Sequence, residues 1–178
     1  SDNGAAPGPS GWGGNMVSCL LRDPTCVLGL TCLIKDIVNG NFDDEGRNYI
    51  LASKLIGIIK PEGGIRPIAI GELFFRLAAR YLNERLKKTA AHLLSPYQFA
   101  VGEAAGTERI VHSIRHHLSQ ENNPMASFKM DITNAYNNID RAHILQTLYN
   151  TPELSDLYHI ANFAYAKPSA LLVLGNGP

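Results

Sequence analysis

Apolar residues follow two rhythms along this chain, one at helical spacing and one in short β-branched runs. Val27, Leu30, Ile34 and Ile37 keep the helical period. Asp23-Pro24 reads as an N-cap followed by proline at the first helical position, and Asn39-Gly40 as a stop. A helix is therefore predicted over 24–38, behind a shorter one over 16–22. The polar, acidic stretch 41–48 predicts a surface loop. Residues 53–60 and 65–70 read as strands joined by the turn Pro61-Glu62-Gly63-Gly64, a hairpin. Pro67 has no N–H, so its strand should be an edge or bulged. A long helix follows over 72–94, with Leu73, Leu77, Tyr81 and Leu82 on one side and Ser95-Pro96 at its end. Residues 97–106 form a glycine-containing loop. Ile110, Ile114 and Leu118 mark a helix over 107–118. Asn122-Asn123-Pro124 is a turn, and 125–130 a short strand that delivers Asp131 at its end. Asp140 reads as the N-cap of a helix through residue 149. A last helix covers 152–166 and a last strand 170–174. Helices and strands mix irregularly, which predicts an α+β fold rather than a doubly wound sheet. Residues 1–14, rich in Gly, Pro and Ser, read as a flexible N-terminal segment.

Composition narrows the classes. The chain has 178 residues, 45% hydrophobic and 18% charged. That is enough for a sizeable core and excludes a wholly disordered chain. Lys plus Arg equals Asp plus Glu at 16 each. A free-standing nucleic-acid binder is usually basic, so any such role must rest on local charge placement. Cys19, Cys26 and Cys32 are odd in number, unevenly spaced and without nearby histidine. A zinc site wants closer pairs, so buried, reduced thiols are predicted. No run reaches the roughly 18–20 apolar residues of a membrane span. The basic and apolar regions of a signal peptide are missing too, so no membrane partner is expected.

The segment with the sharpest chemistry is Phe128-Lys129-Met130-Asp131-Ile132-Thr133-Asn134-Ala135-Tyr136-Asn137-Asn138-Ile139-Asp140-Arg141. A carboxylate at the exit of a strand is held firmly while the next loop leaves room for substrate. Polymerases use two Mg²⁺ ions about 3.5–4 Å apart to activate a hydroxyl and stabilise the leaving group. Asp131 and the carbonyl of Ile132 could supply part of the oxygen set that Mg²⁺ takes from protein. The plainer reading has Asp131 capping a turn. A second segment, Lys60-Pro-Glu-Gly-Gly-Ile-Arg66-Pro67-Ile68, places Lys60 and Arg66 opposite each other across the hairpin. Like charges there repel unless an anion lies between them. A triphosphate suits a point charge and a planar fork. The plainer reading points both into solvent.

These residues, in this order, resemble the reverse transcriptases of non-LTR retrotransposons. Asp-Ile-Thr-Asn-Ala-Tyr followed by Asn-Asn-Ile-Asp-Arg is similar to their motif A. The hairpin run through Ile68-Ala-Ile-Gly-Glu is similar to their fingers hairpin. Ala6-Pro7-Gly8-Pro9-Ser10-Gly11-Trp12 looks like the motif that precedes the fingers. Pro96-Tyr97-Gln98-Phe99-Ala100-Val101-Gly102, with Gly106-Thr107-Glu108, resembles the motif between fingers and palm. The resemblance implies part of a right-hand polymerase, with fingers over 15–95 and the first part of the palm over 96–178. It implies Asp131 as catalytic Mg²⁺ ligand with the Ile132 carbonyl, and Tyr136 as the ring that rejects a 2′-hydroxyl. It also implies Ala135 as the small residue beside the sugar, Lys60 and Arg66 as the triphosphate grip, and Gln98 and Gly102 near template or nucleotide. The implied partners are an RNA template, a DNA primer and a deoxynucleoside triphosphate. The implied location is intracellular, nuclear or cytoplasmic.

The chain departs from that pattern. No Tyr/Phe-x-Asp-Asp follows Asp131, nor a Gly-Gln-Gly-Asp-Pro segment after Gly175-Asn176-Gly177-Pro178. Asp43-Asp44 lies upstream in the predicted loop. The chain therefore reads as cut from a longer protein and is expected to be inactive alone. Two alternatives share the signal: a non-catalytic RNA-binding or scaffold module (or a degenerate element copy), and a group II intron-type maturase. Arg76, Arg80, Arg85, Lys87 and Lys88 form a basic stripe on the long helix, read as a solvated face with Glu72–Arg76 and Glu84–Lys88 pairs. His112, His116 and His117 lack a third ligand and read as surface residues.

Overall fold

A computed structural model describes residues 6–120 and 126–173, which fold as a mixed α+β chain. The first helix, α1, covers Gly14–Leu20. The second, α2, covers Pro24–Asn39, and its ends form as the sequence predicts. The Asp23 carboxylate accepts from the N–H groups of Thr25 and Cys26 at 2.8 and 3.0 Å. Gly40 ends the helix in the left-handed region at φ 69°, where a side chain would be strained.

The stretch 41–48 is not the predicted loop. It carries most of a third helix, α3, over Asp44–Leu51. Asp43 caps it by accepting from Gly46 N–H at 2.8 Å, and Asp44 and Glu45 suit the positive end of the helix dipole. Tertiary contact supplies what its few apolar residues do not. Arg47 is 6% exposed. Its guanidinium donates to the carbonyls of Phe163 and Lys167 at 2.7 and 2.6 Å, and to those of Ala164 and Pro168 at 3.3 and 3.2 Å. Lys167 Nζ in turn grips the Asp44 carboxylate at 2.6 Å. Arg47 thus satisfies two carbonyls in the last turn of α8 that have no intrahelical donor, and two more in the segment just after it.

The hairpin pairs β1, Ser53–Ile59, with β2, Ile65–Gly71, in antiparallel register from Ser53↔Gly71 to Ile59↔Ile65. A two-residue strand, β3 (Leu171–Leu172), joins β1 in parallel. The order β2-β1-β3 puts β2 at an edge, where Pro67 is tolerated. The predicted strand over 170–174 is thus shorter, and its last residue lies outside the described ones.

Helix α4, Leu73–Leu94, buries Ala78, Leu82 and Leu86, while Tyr81, expected on the inner side, faces solvent. Ile37 at 0% exposure and Leu82 at 1% sit at the centre of the core, with Leu51, Ala78, Ile160 and Phe163 around them. Helix α5 spans Gly106–Leu118, a short α6 spans Ala135–Asn138, and α7 spans Arg141–Tyr149 with Asp140 as its N-cap. The single helix predicted over 152–166 divides into a 3₁₀ turn, Pro152–Leu154, and α8, Asp156–Tyr165. Bonds of Leu154 N–H to Thr151 O and Ser155 N–H to Pro152 O tighten that first turn.

The predicted strand at 125–130 does not form over 126–130. Its apolar residues face water, Phe128 at 93% exposure and Met130 at 87%. A strand needs a neighbour to complete its ladder, and no described residue pairs with this segment. The Asn122-Asn123-Pro124 turn and residue 125 lie outside the described residues. Nor are the three cysteines buried: Cys19 and Cys32 are exposed and Cys26 half-buried, all as free thiols.

Candidate functional site

The hairpin tip is closed by two hydrogen bonds of 3.0 Å, from Lys60 N–H to Gly64 O and from Gly63 N–H to Lys60 O. Gly63 at φ 93° and Gly64 at φ 87° make that closure possible, since both lie where a Cβ is penalised. The resulting register corrects the expected pairing of Lys60 with Arg66. Arg66 stands across from Ile58, two pairs further down the ladder than Lys60 with Gly64. Paired side chains share a face and alternate along each strand. Lys60 and Arg66 therefore share a face as diagonal neighbours, a relation that typically spans about 7–8 Å. That gap admits a phosphate group between the two charges.

Asp131 and Ile132 are exposed on the irregular segment that replaces the predicted strand. Asn134 at φ 55° turns the chain into α6, and asparagine tolerates that conformation better than most residues. Asn138 Nδ2 donates to Thr133 O at 3.1 Å and fastens the turn. Asp131 plays no part in the hydrogen bonds or ion pairs among the described residues, so it does not cap this turn. Ala135 is half-buried, while Tyr136 is 96% exposed. No group of three or more metal-binding side chains gathers among the described residues. One free carboxylate with its neighbouring carbonyl fits a partial Mg²⁺ set only, to be completed by phosphate, water and further protein oxygens. No hydrogen bond or ion pair among the described residues joins the 131–136 segment to the hairpin pair.

Gln98 and Gly102 are engaged within their own loop. Gln98 Oε1 accepts from the N–H groups of Ala100 and Val101. A Cβ on Gly102, at φ 73°, would run into Lys87 O and the Ala91 side chain, so this glycine lets the loop lie against α4. Within the basic stripe, Arg85 pairs with Asp156 at 3.0 Å. The expected Glu72–Arg76 and Glu84–Lys88 ion pairs are not made among the described residues. His112, His116 and His117 are exposed.

The contacts of several polar residues escaped the sequence reading. Glu72, 5% exposed, receives Ser10 N–H at 2.7 Å and also the Ser10 hydroxyl. Gly8 sits so close to Gly71 and Glu72 that any Cβ would clash with their backbone. Trp12 packs on Phe74 with ring centroids 5.3 Å apart, and Arg76 Nη2 donates to Ala6 O at 3.3 Å. The Pro/Gly-rich segment is thus fastened to the hairpin base and the start of α4. The sequence signal was the run Ala6 to Trp12, similar to the motif that precedes the fingers, which local reading assigns to a loop.

Comparison with known proteins supports a retrotransposon-derived chain. Over 159 residues, 89% of its length, the chain is 31% identical to the Retrotransposable element SLACS 132 kDa protein of Trypanosoma brucei gambiense. It spans 13% of that relative's length. No family model and no solved structure matches it. Among the described residues, no helix is long and apolar enough to cross a membrane.

Proposed function

We propose that this chain is the fingers and first part of the palm of a non-LTR reverse transcriptase, an RNA-directed DNA polymerase. The observation that carries the reading is the state of residues 131–136. A sequence similar to motif A presents a carboxylate and a ring that are both exposed and unengaged by the rest of the described chain. The retroelement relative and the two basic residues on one face of the hairpin add support.

In this reading Asp131, with the Ile132 carbonyl, holds Mg²⁺ that arrives with a deoxynucleoside triphosphate. When bound there, Mg²⁺ would supply charge stabilisation to the attacking and leaving oxygens. Tyr136 closes the space a 2′-hydroxyl would need, and Ala135 lets backbone approach the sugar. Lys60 and Arg66 neutralise the triphosphate from the hairpin. RNA template and DNA primer are the remaining partners, and the site of action is intracellular, nuclear or cytoplasmic.

Primer extension on an RNA template tests this with a longer form carrying a second carboxylate pair. Asp131→Asn is expected to abolish incorporation, and Tyr136→Ala to admit ribonucleotides. Unaltered incorporation by Asp131→Asn would end the proposal. The 178-residue chain alone is expected to extend no primer. RNA binding without extension by the longer form would favour the scaffold alternative.

A further inference from the structure

We infer that the cavity at the base of the hairpin, lined by Arg76 and Arg141, is a phosphate-binding site separate from the Lys60–Arg66 face. The cavity has a volume of about 320 Å³, and Ser53, Glu72, Tyr165 and Ser169 also line it. Its elements converge from far apart in sequence: β1, the end of β2, α4, the first residue of α7 and the loop before β3.

Its charge is not balanced from within. Neither arginine has a carboxylate partner within 4.0 Å among the described residues. Arg76 makes one long bond to Ala6 O, and its Nε is buried without a partner. Arg141 lies over the Tyr165 ring at 5.8 Å, a contact that does not neutralise its charge. Glu72 is the only carboxylate in the lining, and both its oxygens are held by Ser10. Two cations and one occupied anion leave an excess positive charge in a cavity that also offers serine hydroxyls. A phosphate group offers several acceptor oxygens to such planar forks. Ser53 pairs with Gly71, and strand alternation puts both on the face opposite Lys60 and Arg66. The cavity and the candidate triphosphate grip therefore lie on different sides of the sheet.

The phosphate belongs either to a nucleic-acid backbone or to a free phosphate species. The backbone source, a template strand, rests on the polymerase reading. Affinity for a labelled single-stranded oligouridylate, followed by anisotropy across a salt series, tests one source. Calorimetry with pyrophosphate tests the other. Arg76→Gln and Arg141→Gln should each weaken the ligand that binds about fivefold or more. In the RNA arm each should reduce the slope of log affinity on log salt by about 0.7 per phosphate lost. Ser169→Glu, which brings a carboxylate into the cavity, should weaken binding without touching either arginine, and it carries the test if an arginine variant fails to fold. Arg115→Gln, on α5, is the reference for a general charge effect. Loss confined to the RNA arm assigns a backbone phosphate; loss confined to the pyrophosphate arm assigns a free one. Cavity variants that lose no more than Arg115→Gln in both arms overturn the site. Primer extension by the longer form separates the two proposals, because it can persist when the cavity variants bind normally, and cavity binding can persist without it.

Discussion

Two stretches of this chain meet opposite fates. Residues 41–48 look like a loop and carry most of α3, a helix anchored by buried Arg47, while 125–130 look like a strand whose described part, 126–130, stays open to water. The first has a partner: Arg47 finds four carbonyls near the end of α8, and Lys167 finds Asp44. The second has apolar side chains but no neighbouring strand or layer among the described residues to receive them. Order at a polar segment follows from groups that satisfy one another, and apolar periodicity does nothing until another surface covers it.

The largest effect should come from breaking the first of these regions. Arg47→Met keeps much of the apolar stem but leaves the carbonyls unpaired, and should cost about 3 kcal/mol in urea unfolding. A cost near zero would mean that the clasp follows from packing instead of sustaining it. Ser10→Ala removes one donor from buried Glu72 and should cost about 1–2 kcal/mol. Faster amide exchange in β2 and the first turn of α4 should accompany it. The acid response is smaller. The Lys167 hydrogen bond, and then its charge, hold the Asp44 carboxyl below its ordinary value. A carboxyl lowered in the folded state stabilises at pH above its unfolded value, and that contribution disappears as pH falls through the lowered one. The advantage of the native chain over Asp44→Asn should therefore be present at neutral pH and vanish in acid. Smallest of all, Phe128→Ser with Met130→Ser should change the stability of this chain by less than about 0.5 kcal/mol, since both side chains are already in water. A large loss there would show that the segment packs on something and would remove the contrast.

The parts legible in the sequence were those governed by near neighbours. Asp23 and Gly40 bound α2 where local chemistry requires, and Asp140 starts α7 by accepting from Ala142 N–H at 2.8 Å. The hairpin was legible from its glycines and β-branched runs, but not its register, because a tip closed between Lys60 and Gly64 moves Arg66 two pairs down. The residues of the candidate motif, Asp131 through Tyr136, were also legible as types in order. Whether a strand would hold them was not.

The amino-acid order alone thus determined helix caps and the turn, because those depend on hydrogen bonds reaching only a few residues. Tertiary structure decided that Arg47 and Glu72 are buried, that Ser10 lies on the hairpin base, and that Arg76 and Arg141 share one cavity. The partners in each case stand far apart along the chain, and burial of a charge is settled only by what the fold places beside it.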